Sequence, residues 1–227
     1  MDAIHQRIKI MNDLHRFPYE IVPAPTVPIA VTGSPDIIDL PSPDLGNGAS
    51  LMVALARRRT TREFSQASLS SQQLGDLLWA ANGINRADTG GRTAPSAHDV
   101  HEIDIYAALP EGVYLYDPMS HELRLKRAVD ARNLTGYQDF VGGAPLDLVY
   151  VVNHFRADRF PAEQRDTFAG VAIGAISQNV SLYCAAVGLA CVVRGWLNPR
   201  LLADAMTLND NEIPVLAQTI GHAAVTV

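Results

Sequence analysis

Few cysteines and no long apolar run mark this sequence of 227 residues. Cys184 and Cys191 stand in an apolar stretch and form no CxxC motif, so we expect buried structural thiols and no need for an oxidising compartment. No apolar run reaches the ~18 residues of a membrane span, and charges are scattered through the N-terminal segment. These absences predict a cytoplasmic protein that does not act at a membrane.

An excess of positive charge is also missing, because the formal net charge is −6. A broad nucleic-acid surface normally needs a strongly basic domain or stripe, so we expect no nucleic-acid partner. Hydrophobic residues make up 48% of the chain and charged residues 19%, a profile typical of a soluble globular protein of one sizeable domain. Any cluster of positive charge must then serve local chemistry.

Several motifs that would reveal an enzyme class are absent. The chain has no GxSxG elbow, and the neighbouring Ser96, His98 and Asp99 cannot usually assemble a triad from one short segment. His98 and His101 form an HxxH pair without a third spaced ligand, which favours a polar loop over a metal site. The glycines of GINRADTGGR match neither GxxxxGK[ST] nor GxGxxG, so side chains would have to hold any nucleotide or flavin.

Hydrophobic periodicity predicts a short amphipathic helix over residues 1–17 and an extended arm over the proline-rich residues 18–43. The arm either embraces a partner subunit or serves as a linker. We assign residues 1–48 to this helix and arm, and residues 49–227 to the folded domain. Ser50 is a candidate N-cap for the first helix of that domain.

Stronger local signals follow along the folded domain. Ser70 and Gln73 form a capping box for a second helix that Gly83 can close. Residues 161–187 predict one long helix ended by Gly188, whose small residues let other backbones approach, so it should be central or lie at a subunit contact. Asn198 and Pro199 open another helix.

Four segments read as strands. The predictions are a half-buried strand over 102–109, a hairpin of GVYLYD and HELRL around DPMS, a fully buried strand over 146–152 and a last buried strand over 215–221. Strands interleaved with helices, with a hairpin among them, favour an α+β fold over a doubly wound parallel sheet.

The stretch RRRTTREF, residues 57–64, crowds four arginines into an acidic chain. Like charges at helical spacing cost about 0.2–0.5 kcal/mol per pair unless they are solvated or meet an anion. Arg58 and Arg62 at i, i+4, with the Thr60 hydroxyl between them, offer forked donors suited to a phosphate. A solvated helix end, where cations meet the helix dipole, explains the residue types equally well.

The order of four segments resembles the FMN-dependent nitroreductase family, over a span from about Ile37 to Gly221. ALARRRTTREFS resembles the family's opening R-R-S-x-R-x-F signature, and RTAPSAHD its P-S-x-x-N loop. GAISQNVSLYCAAVGLACVVRG resembles its long central helix and the segment that passes the flavin, and AQTIGH its last core strand. The lead-in IIDLPSPDLGNGAS is similar to the branch that includes azoline-oxidising dehydrogenases of peptide biosynthesis.

This resemblance implies an α+β fold with a central mixed, largely antiparallel sheet flanked by helices. It also implies an intertwined homodimer with two FMN sites, each built from both subunits. By position, Arg58 and Arg59 match the residues near the phosphate, Thr60 the ribityl-contacting Ser, and Arg62 the basic residue beside the pyrimidine edge.

The remaining implied site residues lie further along the chain. Pro95, Ser96 and Ala97 would come from the second subunit, and Asp99 stands where the family has Asn. Arg194 and Gly195 match the turn whose backbone N–H points at flavin N5. The C-terminal GHAAVTV lacks the base that helps hold the phosphate in many members, so His222 and Arg194 are candidate replacements.

The implied function is hydride transfer from NADH or NADPH, via flavin N5, to nitroaromatic, quinone or similar small acceptors by a ping-pong mechanism. The chain itself supplies no catalytic side chain and no metal ligand for that chemistry. A fixed guanidinium such as Arg62 would stabilise the anionic reduced flavin, whereas Asp99 would oppose it. Two alternatives remain open: a flavin-binding or sequestering protein with little turnover, and an azoline-type peptide dehydrogenase.

Overall fold

The computed structural model describes residues 27–224 and contains eleven strands and five α-helices in that range. The strands are β1 (Ile29–Ala30), β2 (Ile37–Asp39), β3 (Ile84–Arg86), β4 (Gly91–Arg92), β5 (Ile103–Leu109), β6 (Gly112–Asp117), β7 (Glu122–Arg127), β8 (Val129–Asp130), β9 (Leu146–Asn153), β10 (Ala190–Arg194) and β11 (Glu212–Gly221). The helices are α1 (Leu51–Arg57), α2 (Ser71–Asn82), α3 (His154–Ala157), α4 (Arg165–Val187) and α5 (Pro199–Met206). The helix predicted over 1–17 lies outside the described residues.

Seven of these strands form one sheet in the order β10-β11-β9-β5-β6-β7-β2, and β1 with β8 and β3 with β4 form two small ribbons. Every strand pair in the described range is antiparallel. The predicted α+β fold with a largely antiparallel sheet is therefore confirmed, as is the hairpin of β6 and β7.

The described part of the proline-rich arm is extended, as predicted, and lies on its own chain. Its strand β2 pairs with β7 at one edge of the large sheet, and β1 pairs with β8. Proline lacks a backbone N–H, so a proline-rich segment cannot form a hydrogen-bonded ladder on both of its sides. Such a segment is therefore confined to the edge of a sheet. At least from residue 27 onward the arm therefore extends the domain that follows it.

The helix boundaries follow their local signals. At the start of α2 the Ser70 hydroxyl accepts from the Gln73 backbone N–H at 3.1 Å, and the Gln73 side chain accepts from the Ser70 N–H at 2.9 Å. Both bonds of the predicted capping box are present. Helix α4 ends at Gly188, whose φ of 78° is the left-handed conformation that glycine adopts without a steric penalty.

The sheet is covered on both faces, and this overturns one prediction. Helices α2 and α4 pack on one face with Ile103 and Ile105, while α5 packs on the other face with Tyr106. Strand β5, predicted to be half-buried, is therefore buried on both faces, with only Asp104 partly exposed. The prediction of a fully buried strand over 146–152 is confirmed, and β9 continues by one partly exposed residue, Asn153.

Helix α4 has two different sides. Its inner side, including Ile173, Ile176 and Val180, is part of the core. On its outer side a β-carbon built at Gly170 or Gly174 would meet no atom within 4 Å.

The segment Ala162–Val187 is long and apolar enough to cross a membrane by length and composition alone, a test that the core helix of a soluble protein also passes.

Candidate functional site

The arginine segment begins where helix α1 stops. The helix ends at Arg57, and Arg58 is its C-cap, with its N–H donating to the Ala54 carbonyl at 2.8 Å. Residues 58–62 have no helical conformation, so the interpretation that Arg58 and Arg62 share a helix face is wrong. One of the two explanations for the cluster was that its cations interact favourably with the negative end of the helix dipole. This explanation applies to Arg57 alone, because only Arg57 lies in the last turn of α1.

Backbone hydrogen bonds hold the segment along the open edge of the large sheet. The Thr61 N–H donates to the Cys191 carbonyl of edge strand β10 at 3.0 Å. Further on, the Ser65 N–H donates to the His222 carbonyl at 2.9 Å, and the Ala224 N–H donates to the Glu63 carbonyl at 3.1 Å. These bonds join residues 61–65 to the ends of β10 and β11.

A cavity of about 450 Å³ lies between this segment, the end of α4 and the start of β10. Its lining includes Arg57, Arg58 and Arg59 but no Asp or Glu, and among residues 27–224 none of these three guanidinium groups forms an ion pair. The volume lies within the range of about 300–1,000 Å³ that small-molecule sites occupy. A cavity with three cations and no acid is suited to a phosphate-bearing ligand.

The lining also contains residues that the sequence analysis missed. Arg57, Thr61, Cys191 and Ala223 line the cavity, whereas the predicted site residues Thr60 and Arg62 do not. No local pattern connects Thr61 with Cys191, because their contact is made across the edge of the sheet between residues that are 130 positions apart.

The two cysteines are free and buried, as predicted, and they differ in acidity. A side-chain hydrogen bond from Cys184 lowers the pKa of the Cys191 thiol to about 7, although burial opposes this shift and Arg58 supports it. The same hydrogen bond, together with burial, raises the pKa of Cys184 well above its usual value. The more acidic thiol is therefore the one that lines the cavity.

Arg194, at the end of β10, points into the fold. Its guanidinium donates to the Asp147 carboxylate at 2.6 Å, to the Thr135 carbonyl at 2.7 Å and to the Thr219 hydroxyl at 3.0 Å. Burial lowers the pKa of Arg194 and raises that of Asp147, although each charge opposes the other's shift. Because its donors are occupied, the Arg194 side chain cannot replace a missing phosphate-binding base.

Gly195 follows Arg194 and is exposed at the end of the same strand. It lies four positions after Cys191, a distance of about 13 Å along an extended strand. Tyr137 and Trp196 lie beside this strand end, with ring centroids 5.5 Å apart. The arginine cavity and Gly195 thus lie along one edge strand.

The loop that holds Pro95, Ser96, Ala97 and Asp99 does not line the arginine cavity of its own chain. A short 3₁₀ turn spans Ala97–Asp99, and the Ser96 hydroxyl donates to the buried Glu102 carboxylate at 2.9 Å. Three residues have backbone φ angles of 51–52°, in the left-handed region: His98, Asp99 and His101. The structure of one chain therefore does not bring this loop to the arginines.

Comparisons with known proteins identify one family. Residues 55–222 match the model of the nitroreductase family. A protein of Ralstonia eutropha JMP134, whose crystal structure is described as that of a "putative nitroreductase", is 54% identical, with a TM-score of 0.88 over 92% of this chain and 100% of that chain. "Putative nitroreductase MJ1384" of Methanocaldococcus jannaschii is 26% identical over 82% of this chain and 98% of its own length.

One further likeness concerns the fold alone. A chain of the Escherichia coli microcin synthetase McbBCD complex superposes with a TM-score of 0.68 over 99% of this chain and 83% of that chain. Its sequence identity is 17%, so the likeness says nothing about activity.

Proposed function

Because this chain belongs to the nitroreductase family, we propose that it is an FMN-dependent oxidoreductase that uses NADH or NADPH to reduce nitroaromatics, quinones or similar small acceptors. Bound FMN would supply the redox chemistry, which is hydride transfer from the nicotinamide to the acceptor in a ping-pong sequence. The observation that carries the proposal is the acid-free cavity lined by Arg57, Arg58 and Arg59.

In this proposal Arg58 and Arg59 hold the FMN phosphate, with Arg57 as a third cation at the end of α1. All three side chains are exposed to the cavity side of the molecule without a carboxylate partner in the described range, so they fit a dianionic group. Forked guanidinium donors bind such oxygens through paired, charge-assisted hydrogen bonds.

Thr60, Arg62, Arg194 and Gly195 complete the proposed site on the same chain. In this proposal the Thr60 hydroxyl would contact the ribityl chain, and the Gly195 N–H at the end of β10 would face the ring. The Arg62 guanidinium would stabilise the negative charge that reduction of the ring creates. Arg194 contributes its backbone, because its side chain is hydrogen-bonded to Asp147, Thr135 and Thr219.

A homodimer supplies the rest of each site, from Pro95, Ser96, Ala97 and Asp99 of the second subunit. Support for association comes from large apolar side chains that one chain leaves exposed, among them Leu51, Met52 and Leu55 on α1 and Val171 on α4. Apolar surface of this kind marks protein interfaces. Residues 49–227 form the FMN-binding domain in this assignment, and residues 1–48 form the N-terminal helix and arm.

The proposal is tested by FMN affinity. The purified protein should be yellow or become yellow with added FMN, and Arg58→Ala and Arg59→Ala should each weaken FMN binding about 10- to 100-fold, since hydrogen bonds to charged groups contribute about 1.5–3 kcal/mol. Arg200→Ala, which removes an exposed arginine outside the cavity, is the control. A colourless protein that does not take up FMN, or Arg58 and Arg59 variants with unchanged affinity, would refute the site.

Turnover separates the remaining functions. An enzyme of the proposed class is bleached by NADH or NADPH and recoloured by nitroaromatics or quinones, and its initial rates give parallel double-reciprocal lines. Colour without bleaching identifies a flavin-binding protein with little turnover. Oxidation of a thiazoline peptide in preference to reduction of quinones identifies an azoline-type dehydrogenase.

A further inference from the structure

A second polar cavity opens where strands β5 and β6 separate. The two strands pair from Leu109 and Gly112 up to Tyr106 and Leu115, and beyond that point they form no further pair. The space between them, about 230 Å³, is closed by strand β4, by the loop before β5 and by helix α3. A water molecule takes about 30 Å³ of liquid, so this cavity has room for several waters or for one small ion or molecule.

Arg92 is the first unusual group in this cavity. It is half-buried, and no hydrogen bond or ion pair of its guanidinium occurs within residues 27–224. Burial lowers its pKa, and the neighbouring cation of Arg156 lowers it further. Burial removes part of the hydration of a guanidinium, and this costs free energy when no protein acceptor replaces the lost water. A bound ligand can supply the missing acceptor.

Arg156 presents a second guanidinium to the same space. Its Nη2 is ion-paired with an Asp104 carboxylate oxygen at 2.7 Å, whereas its Nε is buried without a hydrogen bond. The other Asp104 oxygen accepts from the Asn153 amide at 3.3 Å. The lining thus contains two guanidinium groups and one carboxylate, with N–H donors left over on both arginines.

Two further carboxylates act on these groups but do not line the cavity. Asp117, which raises the pKa of Arg92, is ion-paired with Arg124 at 2.9 Å, and the buried Glu102, which raises the pKa of His101, accepts the Ser96 hydroxyl at 2.9 Å. His101 lines the cavity, and burial, followed by the Arg92 charge, lowers its pKa, so the imidazole is neutral at pH 7. Asp99, on the exposed loop, acts on His101 in the opposite direction.

We propose that this cavity binds a small oxyanion, either a free phosphate or the carboxylate or phosphate group of a small metabolite, with Arg92 and Arg156 as its principal ligands. An oxyanion between the two guanidinium groups would accept their unused N–H donors and balance the excess positive charge. The cavity shares no lining residue with the arginine cavity proposed for FMN, so this proposal stands whether or not FMN binds.

The test uses the full-length protein saturated with FMN, titrated with sodium phosphate and, separately, with sodium succinate in a calorimeter at constant ionic strength. Saturation with FMN removes competition for the first cavity, and the Arg58→Ala, Arg59→Ala double variant serves the same purpose if FMN does not bind. We expect saturable binding of at least one of the two anions, and Arg92→Gln should weaken it at least about tenfold, the loss of one charged hydrogen bond. Arg200→Gln is the matched control and should bind like the wild type.

Arg92→Lys keeps the charge but loses the fork, so its affinity should fall between those of the wild type and Arg92→Gln. This variant also keeps the test decisive if Arg92→Gln does not fold. Phosphate tighter than succinate identifies a phosphate site, and the reverse order identifies a carboxylate site. Absence of saturable heat with both anions would overturn the proposal. Equal anion affinity in the wild type, Arg92→Lys and Arg92→Gln would also overturn it.

Discussion

The buried ion pair of Arg194 and Asp147 gives a stability prediction whose size follows from the structure. The side chains are 2% and 0% exposed, and the pair connects β10 with β9. In Arg194→Met the Asp147 carboxylate keeps only the Thr219 hydroxyl as a donor, because its second oxygen already has no partner. The Thr135 carbonyl loses its donor as well.

Removing one partner of a buried pair typically costs about 3–5 kcal/mol, because the remaining charge is left uncompensated. A loss of about 4 kcal/mol is a large part of the ~5–15 kcal/mol that stabilises a typical domain. With a denaturant slope of about 3 kcal/mol per molar urea, the unfolding midpoint would fall by about 1.3 M. The exposed pair of Arg124 and Asp117 is the control, and Arg124→Met should cost less than about 1 kcal/mol.

Urea unfolding of Arg194→Met, Asp147→Leu and the double variant measures the coupling. An apolar pair of similar volume often replaces a buried ion pair without loss, so the double variant should lose much less than the sum of the single losses. Burial raises the folded-state pKa of Asp147 above its ordinary 3.8, and loss of the cation raises it further. The deficit of Arg194→Met should therefore shrink as pH falls through the raised folded-state pKa of Asp147 in the variant toward its folded-state pKa in the wild type, because the carboxyl becomes neutral first in the folded variant. A loss below about 1 kcal/mol for Arg194→Met, with an unchanged urea slope, would refute the reasoning.

Four further predictions concern separate parts of the chain. Ser70→Ala removes the hydroxyl of the capping box and should lower the free energy of unfolding by about 1 kcal/mol in urea titrations; Ser70→Thr, which keeps a hydroxyl, should lose less. Burial lowers the pKa of His121, so its contribution to stability is complete above pH 6.5 and is lost as pH falls below it; His121→Gln should flatten the stability profile below pH 6.5, and an unchanged profile would contradict this. Cys191 should react with iodoacetamide faster than Cys184, with a rate that rises through about pH 7, as peptide mapping by mass spectrometry can show; faster labelling of Cys184 would be the contrary result. In the FMN-loaded protein, Asp99→Asn should raise the flavin midpoint potential in a spectroscopic redox titration, because it removes a negative charge while both residues tolerate the left-handed backbone; an unchanged or lower potential would count against a position near the ring.

Features encoded within a few neighbouring residues could be predicted from the sequence. The capping box of Ser70 and Gln73, the stop at Gly188 and the Asn198 cap of α5 all rest on contacts between residues at most a few positions apart. The arginine segment could also be recognised from the sequence, because four like charges close together are unfavourable unless they are solvated or meet an anion. Its helical spacing was misleading, since the helix ends at Arg57 and the next residues join the sheet edge.

Features that depend on distant residues could not be predicted from local patterns. Strand β5 alternates in sequence, yet helices from both later and earlier parts of the chain cover its two faces, so Tyr106 is as buried as Ile105. The cavity lining joins Thr61 to Cys191 of edge strand β10. The ion pair joins Asp147 of β9 to Arg194 of β10, and strand β11 lies between these two strands. The cofactor-site residues, which a resemblance implied, remain predictions for the FMN titrations to decide.

The loop from His98 to His101 holds three residues with a β-carbon in a conformation that costs each about 1–2 kcal/mol outside a fold. Nothing in those four residues alone would select that shape. The buried Glu102 carboxylate, which accepts the Ser96 hydroxyl, directly precedes β5 and can hold one end of the loop only after β5 has joined its sheet. A synthetic peptide of this segment would therefore not reproduce its form, and during folding the loop should be among the last segments to settle.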